Sequence, residues 1–331
     1  MSHIKFLKNI NKKDVPIAGG KGASLGEMTQ AKIPVPPGFV VLANAFDRFL
    51  EETKLKEDIA AHLTQVNPED TNSVTRISAI IRDSIHDRPM PKDLEKEILA
   101  AFEELGAEYV AVRSSATAEY SSVASWAGEL ETYLNTTSTN IADRVKLCWS
   151  SLFTPRAIFY RHEKNLIDHY VSVAVVVQKM IQSEISGIAF TVHPVTEDPD
   201  QMIIEAGFGL GEAIVSGQIT PDSYVVSKSE MSIIDINIGH QLRKLIKSGD
   251  SKARKTKNIT DENENNSNKW VDLGAEGEKQ KLTGRQIMEV AKVCKQIEDH
   301  YKFPCDIEWA MENGKIYITQ SRPITTLKPK C

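Results

Sequence analysis

Chemistry is densest in the decapeptide Val110-Ala111-Val112-Arg113-Ser114-Ser115-Ala116-Thr117-Ala118-Glu119. A short β-rich run delivers an arginine, then hydroxyls and small residues; after Val112 nothing is large enough to fill a core. The planar donor fork of an arginine matches phosphate oxygens, so the stretch suits a bound polyphosphate. A strand end followed by a serine-rich turn gives the same pattern. Upstream lies Gly19-Gly20-Lys21-Gly22-Ala23-Ser24-Leu25-Gly26-Glu27-Met28. Glycines around a lysine let backbone approach an anion, and a helix over Ala23 to Thr29 would add its N-terminal partial charge. It is not a Walker A loop, because Gly22 follows Lys21 where Ser or Thr is required. An ordinary glycine turn with a solvated lysine is the alternative.

Near the far end, Asp306-Ile307-Glu308-Trp309-Ala310-Met311-Glu312-Asn313-Gly314-Lys315-Ile316-Tyr317-Ile318-Thr319-Gln320-Ser321-Arg322-Pro323 reads as a hairpin turning at Asn-Gly. Glu308 and Gln320 offer hard oxygen donors that suit Mg²⁺, and Arg322 suits phosphate. A two-residue turn would pair Glu312 with Lys315 and set Glu308 on the face opposite Gln320. A three-residue turn with Gly314 left-handed at a bulge would bring Glu308, Gln320 and Arg322 to one face, and is the register expected of a nucleotide site. A surface hairpin of alternating polarity is the alternative.

These residues need elements to hold them. Ile33 to Val41 is a stiff, proline-rich entry to a strand. Apolar spacing predicts helices over Leu55–Leu63, Ser73–Ile85 and Leu94–Leu105, then about Ile141–Ser151, Pro155–Asn165 and Thr283–Tyr301. Val171 to Met180 is the most apolar run and reads as a central strand, its end offering backbone groups at a sheet edge. Ser186–Thr191 and Met202–Ala206 read as further strands. Ala124 to Asn135 is a small-residue loop entering a strand, fit to cover a ligand or simply to turn. Gly207-Phe208-Gly209-Leu210-Gly211-Glu212 misses the dinucleotide fingerprint, since Glu212 stands where its last glycine belongs. Residues 248–269, rich in Lys, Asn and acids, are expected to form a mobile surface insertion.

Composition narrows the class. At 331 residues the chain exceeds one small core, and its net charge of −5 advertises neither nucleic acid nor anionic membrane. No run is long and apolar enough to span a bilayer. The four scattered cysteines form no C-x-x-C pair, which argues against zinc and against a disulfide framework. A reducing cytoplasm is the expected setting.

Taken together, the motifs resemble the N-terminal ATP-binding domain of the phosphoenolpyruvate synthase and pyruvate, phosphate dikinase family, a domain also found in rifampin phosphotransferase. The resemblance rests on Gly19–Met28, Pro36-Pro37-Gly38-Phe39, Val110–Glu119, Ser125–Asn135, Ser186–Thr191, Glu205–Gly217 and Gln320-Ser321-Arg322-Pro323-Ile324, in the family's order. It implies an ATP-grasp-like α+β fold spanning 1–331 as one ATP-binding domain, with lobes near 1–170 and 171–331 and the nucleotide cleft between them. It further implies that Lys21 and Arg113 hold phosphates, that Gly128 and Thr132 belong to a loop over them, and that Gln178, Lys179 and Met180 line the adenine slot. Glu308 and Gln320 would bind Mg²⁺; Arg322 would reach the transferring phosphates, making Arg322, Arg113 and Lys21 the catalytic set. Three positions depart from the family: Tyr120, Trp126 and Glu129, the last placing an extra carboxylate near phosphates.

The family passes a (pyro)phosphoryl group from ATP to a histidine on a swivelling domain. None of the eight histidines here sits in the Thr-Ser-His type motif of that domain, and His193 lies where the family varies. The resemblance therefore implies a Mg·ATP-binding half-reaction module whose histidine partner acts in trans, in an excised domain or in a split enzyme such as phenylphosphate synthase. The final acceptor (pyruvate, a phenol, a rifamycin-like antibiotic) is outside its reach. A non-catalytic nucleotide-binding regulatory module, or the ATP domain of an antibiotic phosphotransferase, are the alternatives.

Overall fold

The structure, a computed structural model, describes residues 2–117, 131–164, 171–248, 268–325 and 327. Helix (42%) and strand (28%) are both abundant, which makes the class α+β. The chain divides into two units: Met1–Gln30 with Pro37–Met180, and Ala31–Pro36 with Ile181–Cys331. The division falls after Met180 rather than after 170, because the apolar run from Val173 is the central strand of the first sheet.

The first unit contains β1 (Ile4–Phe6), α1 (Val15–Gln30), β2 (Gly38–Val41), α2 (Ala43–Glu52), α3 (Leu55–Leu63), α4 (Thr71–Asp87), α5 (Lys92–Leu105), β3 (Val110–Ala116), β4 (Thr132–Thr136), α6 (Ile141–Ser150), α7 (Pro155–Glu163) and β5 (Val173–Lys179). Its strands are ordered β1-β2-β5-β3-β4, every neighbour antiparallel. Side chains alternate between faces along a strand, and directly paired residues share one. Phe39, Val41, Val110, Val112, Val173, Val175 and Val177 thus enter the main core with Phe46, Phe49, Ile77, Ile81, Ile98 and Trp149. The opposite face carries Val40, Val176, Arg113, Ser115, Gln178 and Thr132. Against it lies α1, where Gly22 allows the close approach: a Cβ there would meet Val40 at 3.2 Å and Val176 at 3.6 Å.

The second unit contains β6 (Ile185–Phe190), β7 (Gln201–Phe208), α8 (Glu212–Val215), β8 (Asp222–Ser227), β9 (Ser232–Asn237), β10 (Arg243–Lys247), β11 (Asn268–Asp272), α9 (Gly284–Tyr301), β12 (Cys305–Glu312) and β13 (Lys315–Pro323). Among the described residues its main sheet runs β13-β12-β6-β7-β8-β9, and β10 with β11 form a separate ribbon. Thr283 and Gln286 form a capping box that starts α9. Helix α9 presents Ile287, Val290, Cys294 and Ile297 to the sheet face built from Ile307, Trp309, Ala189, Met202, Ile204, Tyr224 and Val226, all buried. Asp306, Glu308, Gln320, Arg322, Ile188 and Glu205 share the other face. Of the expected insertion 248–269, Asn268 and Lys269 belong to β11, pairing with Lys247 and Ile246; residues 249–267 lie outside the described residues.

A buried polar network holds the glycine-rich turn after β7. Lys281 Nζ and Asp222 Oδ1 are 2.9 Å apart and both side chains are 0% exposed. Asp222 also accepts from Gly239 N, Lys281 N and the Tyr224 hydroxyl, and Lys281 Nζ donates to Gly239 O and Gly277 O. Every charge is satisfied, as such burial demands. Gln241 clips Phe208 from both sides, accepting from its N–H at 2.8 Å and donating to its carbonyl at 2.9 Å. Gly209 follows at φ +93°, where a Cβ would strike Leu245 O.

Candidate functional site

In the first unit the two motifs that bracket the chemistry meet. Helix α1 starts at Val15, earlier than the spacing suggested, and kinks at Gly19 (φ 70°, ψ 171°). A Cβ on Gly19 would run into Ser115 O and Oγ, so only glycine fits. Ser115 Oγ donates to Ala18 O at 2.9 Å and accepts from Gly22 N at 3.1 Å, stitching the kink to β3. From the next turn Lys21 Nζ reaches Ser114 O at 3.0 Å. Arg113, largely buried, donates from Nη1 to Gln178 Oε1 at 3.3 Å. Thr132 is paired directly with Arg113 across the strands and is exposed. Lys21, Arg113, Gln178 and Thr132 are therefore gathered on the face that carries α1.

Two expectations need correction here. The hydroxyls of Ser114 and Ser115 serve the fold: Ser114 Oγ lies within hydrogen-bond distance of Glu131 O, Cys148 O and Ser151 Oγ, on the core side of the sheet. The end of β5 is also not an edge. It is flanked by β2 and β3, and the amides of Lys179 and Met180 donate to Pro37 O and Tyr109 O at 2.9 and 3.0 Å. Gln178 is buried, while Lys179 is exposed and Met180 half-buried. Gly128, with Tyr120, Trp126 and Glu129, lies outside the described residues.

The β12–β13 hairpin supplies the second set. Its turn is the two-residue one, with Glu312 paired to Lys315 and Asn313 and Gly314 at φ 51° and 71°. The expected three-residue turn is thus incorrect. The face is restored further along: the register shifts between Glu308 and Trp309, Thr319 is the additional residue, and Glu308 pairs with Gln320. Gln320 Nε2 donates to Glu308 Oε1 at 3.1 Å. One pair further, Arg322 Nε and Nη2 reach Asp306 Oδ2 at 2.8 and 2.7 Å. Burial pushes the Asp306 carboxyl above its ordinary range; Arg322 opposes the shift and Glu308 adds to it. Asp306 went unremarked in the sequence, where an acid at a hairpin base reads as a solvated end. Its signal was the i, i+2 spacing to Glu308, matched by Gln320 and Arg322 on the other strand. Glu205 shares the face two strands away, with its carboxyl also raised by burial.

Among the described residues no group of three His, Cys, Asp or Glu could hold a metal ion alone. A carboxylate beside an amide oxygen fits Mg²⁺ in another way, since that ion keeps waters and takes one or two protein ligands plus phosphate oxygens. Glu308 and Gln320 match that donor set.

Each of the two units combines helices with an antiparallel sheet; one presents Lys21 and Arg113 and the other Glu308, Gln320 and Arg322. Residues 15–330 match the family described as pyruvate phosphate dikinase, AMP/ATP-binding domain, and the chain belongs to that family of dikinase-type ATP-binding domains. It is 44% identical to a probable phosphoenolpyruvate synthase of Methanocaldococcus jannaschii over 99% of this chain and 27% of that protein. It is 46% identical to one of Archaeoglobus fulgidus over 98% of this chain and 42% of that protein. Identity is 42% to the phosphoenolpyruvate synthase of Pyrococcus furiosus, over 98% and 44%. The chain thus spans less than half the length of these relatives. Among solved structures, D-alanyl-alanine synthetase A from Vibrio cholerae matches at 12% identity and a TM-score of 0.29, covering 75% of this chain and 54% of that one. Among the described residues no helix is long and apolar enough to cross a membrane.

Proposed function

We propose that this chain binds Mg·ATP and carries out the first half of a dikinase reaction, transferring a pyrophosphoryl group to a histidine on a separate domain or subunit. An imidazole nitrogen attacks the β-phosphorus; the bridge between the α- and β-phosphates breaks, and its electron pair leaves with AMP. The chain's own residues have little covalent chemistry to do, since such transfers depend on positioning and charge neutralisation. Lys21 and Arg113 hold phosphate oxygens, Arg113 being oriented by Gln178. Thr132, at the start of β4 and paired with Arg113, faces the same phosphates, and Gln178 to Met180 serve the adenine. Glu308 and Gln320 hold Mg²⁺, which when bound neutralises phosphate charge. Arg322, fixed by Asp306, stabilises charge on the transferring group.

The observation that carries this reading is the double pair on one face of the hairpin, Glu308 with Gln320 and Asp306 with Arg322. A carboxylate and an amide side by side, next to a bridled arginine, suit a metal-bound phosphate. The test is to incubate the chain with Mg·ATP, labelled on the β-phosphate, and a histidine-bearing domain from a phosphoenolpyruvate synthase. AMP should form in step with label on the histidine. Tight Mg·ATP binding with no AMP from any such partner would instead favour a regulatory module.

A further inference from the structure

Strand β9 is the outer edge of the second unit's sheet: it pairs with β8, and among the described residues no strand lies beyond it. An open edge presents unpaired N–H and C=O groups, and proteins usually blunt it with lysine, proline, bulges or a covering element. From Ser232 to Gly239 this strand has no lysine and no proline, and Asp235 is its sole charge. Among the described residues a register shift near Ile234 is the one blunting device seen along this edge, and it lies toward one end. From that residue on, every second position is apolar and open to solvent: Ile234 is 53% exposed, Ile236 42% and Ile238 46%.

We infer that β9 is a self-association edge, and that its occupant is the same strand of a second copy, antiparallel about a twofold axis at Ile236. In that register the sequence is complementary to itself. Ile236 faces its own copy, Ile234 faces Ile238, and Asp235 faces Asn237. Isoleucine rows oppose isoleucine rows, and the acid meets an amide that can donate to it rather than a second acid. Moving the axis one residue, to Asp235, sets the two aspartates against each other, which is unfavourable. Backbone groups at the edge call for another strand, and the twofold supplies it without a new sequence. The contact is small, so the dimer is of the weak class.

Analytical ultracentrifugation of the whole chain from about 5 to 500 µM, a span suited to weak interfaces, should show a reversible monomer–dimer equilibrium. Hydrogen exchange at Asp235 to Asn237 should slow as concentration rises. Ile236→Lys places two ammonium groups on the axis and should leave only monomer. Because that change also removes apolar surface, two milder variants fix the register. Asn237→Lys sets a lysine against Asp235 twice per dimer and should tighten association about fivefold, while Asn237→Asp sets acid against acid and should weaken it by a similar factor. Circular dichroism should be unchanged in all three, since these side chains are exposed. A chain that stays monomeric throughout overturns the inference. So does an oligomer indifferent to Ile236→Lys, or one that Asn237→Lys and Asn237→Asp shift in the same direction.

Discussion

Glu308 and Gln320 face each other across β12 and β13, with Gln320 Nε2 donating to Glu308 Oε1 at 3.1 Å, and Thr319 is the reason. Counting back from the Glu312–Lys315 pair, a regular ladder would set Thr319 opposite Glu308 and turn Gln320 and Arg322 to the face that packs on α9. One additional residue in β13 turns both of them round.

Deletion of Thr319 tests that account. It removes the bulge but leaves Gln320 next in line after Ile318, so Glu308 keeps its partner in a regular ladder. The shortened chain should fold and bind Mg·ATP within a few-fold of the parent, as measured by isothermal titration. A folded deletion variant that no longer binds would mean that the bend of the bulge, and not just the register, shapes the site.

Gly19 and Ser115 form a second testable joint. Gly19→Ala imposes a Cβ on a left-handed backbone already in contact with Ser115. Strain of this kind costs about 1–3 kcal/mol, and the clash adds to it. Ser115→Ala leaves Ala18 O and Gly22 N without their buried partner, a loss of roughly 1–3 kcal/mol. Both should lower the unfolding midpoint and weaken nucleotide binding together, because Lys21 rides on the turn that follows. Gly106→Ala is the comparison: its φ is +62° but nothing lies within 4 Å of a Cβ, so it carries backbone strain alone. Equal losses at Gly19 and Gly106 would refute the role given to the Ser115 contact.

How far the sequence disclosed this arrangement differs from element to element. The continuous apolar run Val173–Val177 announced a strand buried on both faces, and the Asn313-Gly314 pair announced a hairpin, but not that its turn has two residues instead of the three expected. The bulge was expected at Gly314, and its true place at Thr319 was hidden, because two-against-one pairing leaves no trace in a pattern of alternating polarity. Ser114 and Ser115 misled for a related reason. A hydroxyl aimed at a ligand and one that satisfies a buried carbonyl are the same letter, and here both serve carbonyls. The Asp222–Lys281 pair joins residues far apart in the chain, so nothing local signals it.

Arg322 and Asp306 separate transfer from folding. Arg322→Ala should cut AMP formation by at least about a hundredfold, the scale of losing one preorganised charge donor. Its effect on stability should be modest, about 1 kcal/mol or less, because Arg322 is roughly a third exposed and solvent screens the pair. Arg322→Lys should recover little, since a point charge cannot replace the fork that engages Asp306 through Nε and Nη2. Unchanged turnover in Arg322→Ala would dismiss its proposed role.

Asp306 also makes a signed prediction for pH. Burial raises its carboxyl above the ordinary 3.8, with Glu308 adding to the shift and Arg322 only partly opposing it. Between the unfolded and folded values the native state holds the proton and the unfolded chain has released it. The native state then binds more protons, so stability falls as pH rises through that window. This is the reverse of the usual surface carboxylate, whose partner lowers its value. Asp306→Asn removes the titration, so the difference in unfolding free energy between parent and variant should slope downward as pH rises above the ordinary carboxylate value and flatten once the folded carboxyl has also ionised. Taking the difference cancels Glu205, whose raised carboxyl contributes in the same sense to both proteins. Denaturant midpoints at several pH values give the curve. A difference that rises with pH would mean that Arg322 outweighs burial at this site, and that Asp306 is an ionised anchor for that arginine down to low pH.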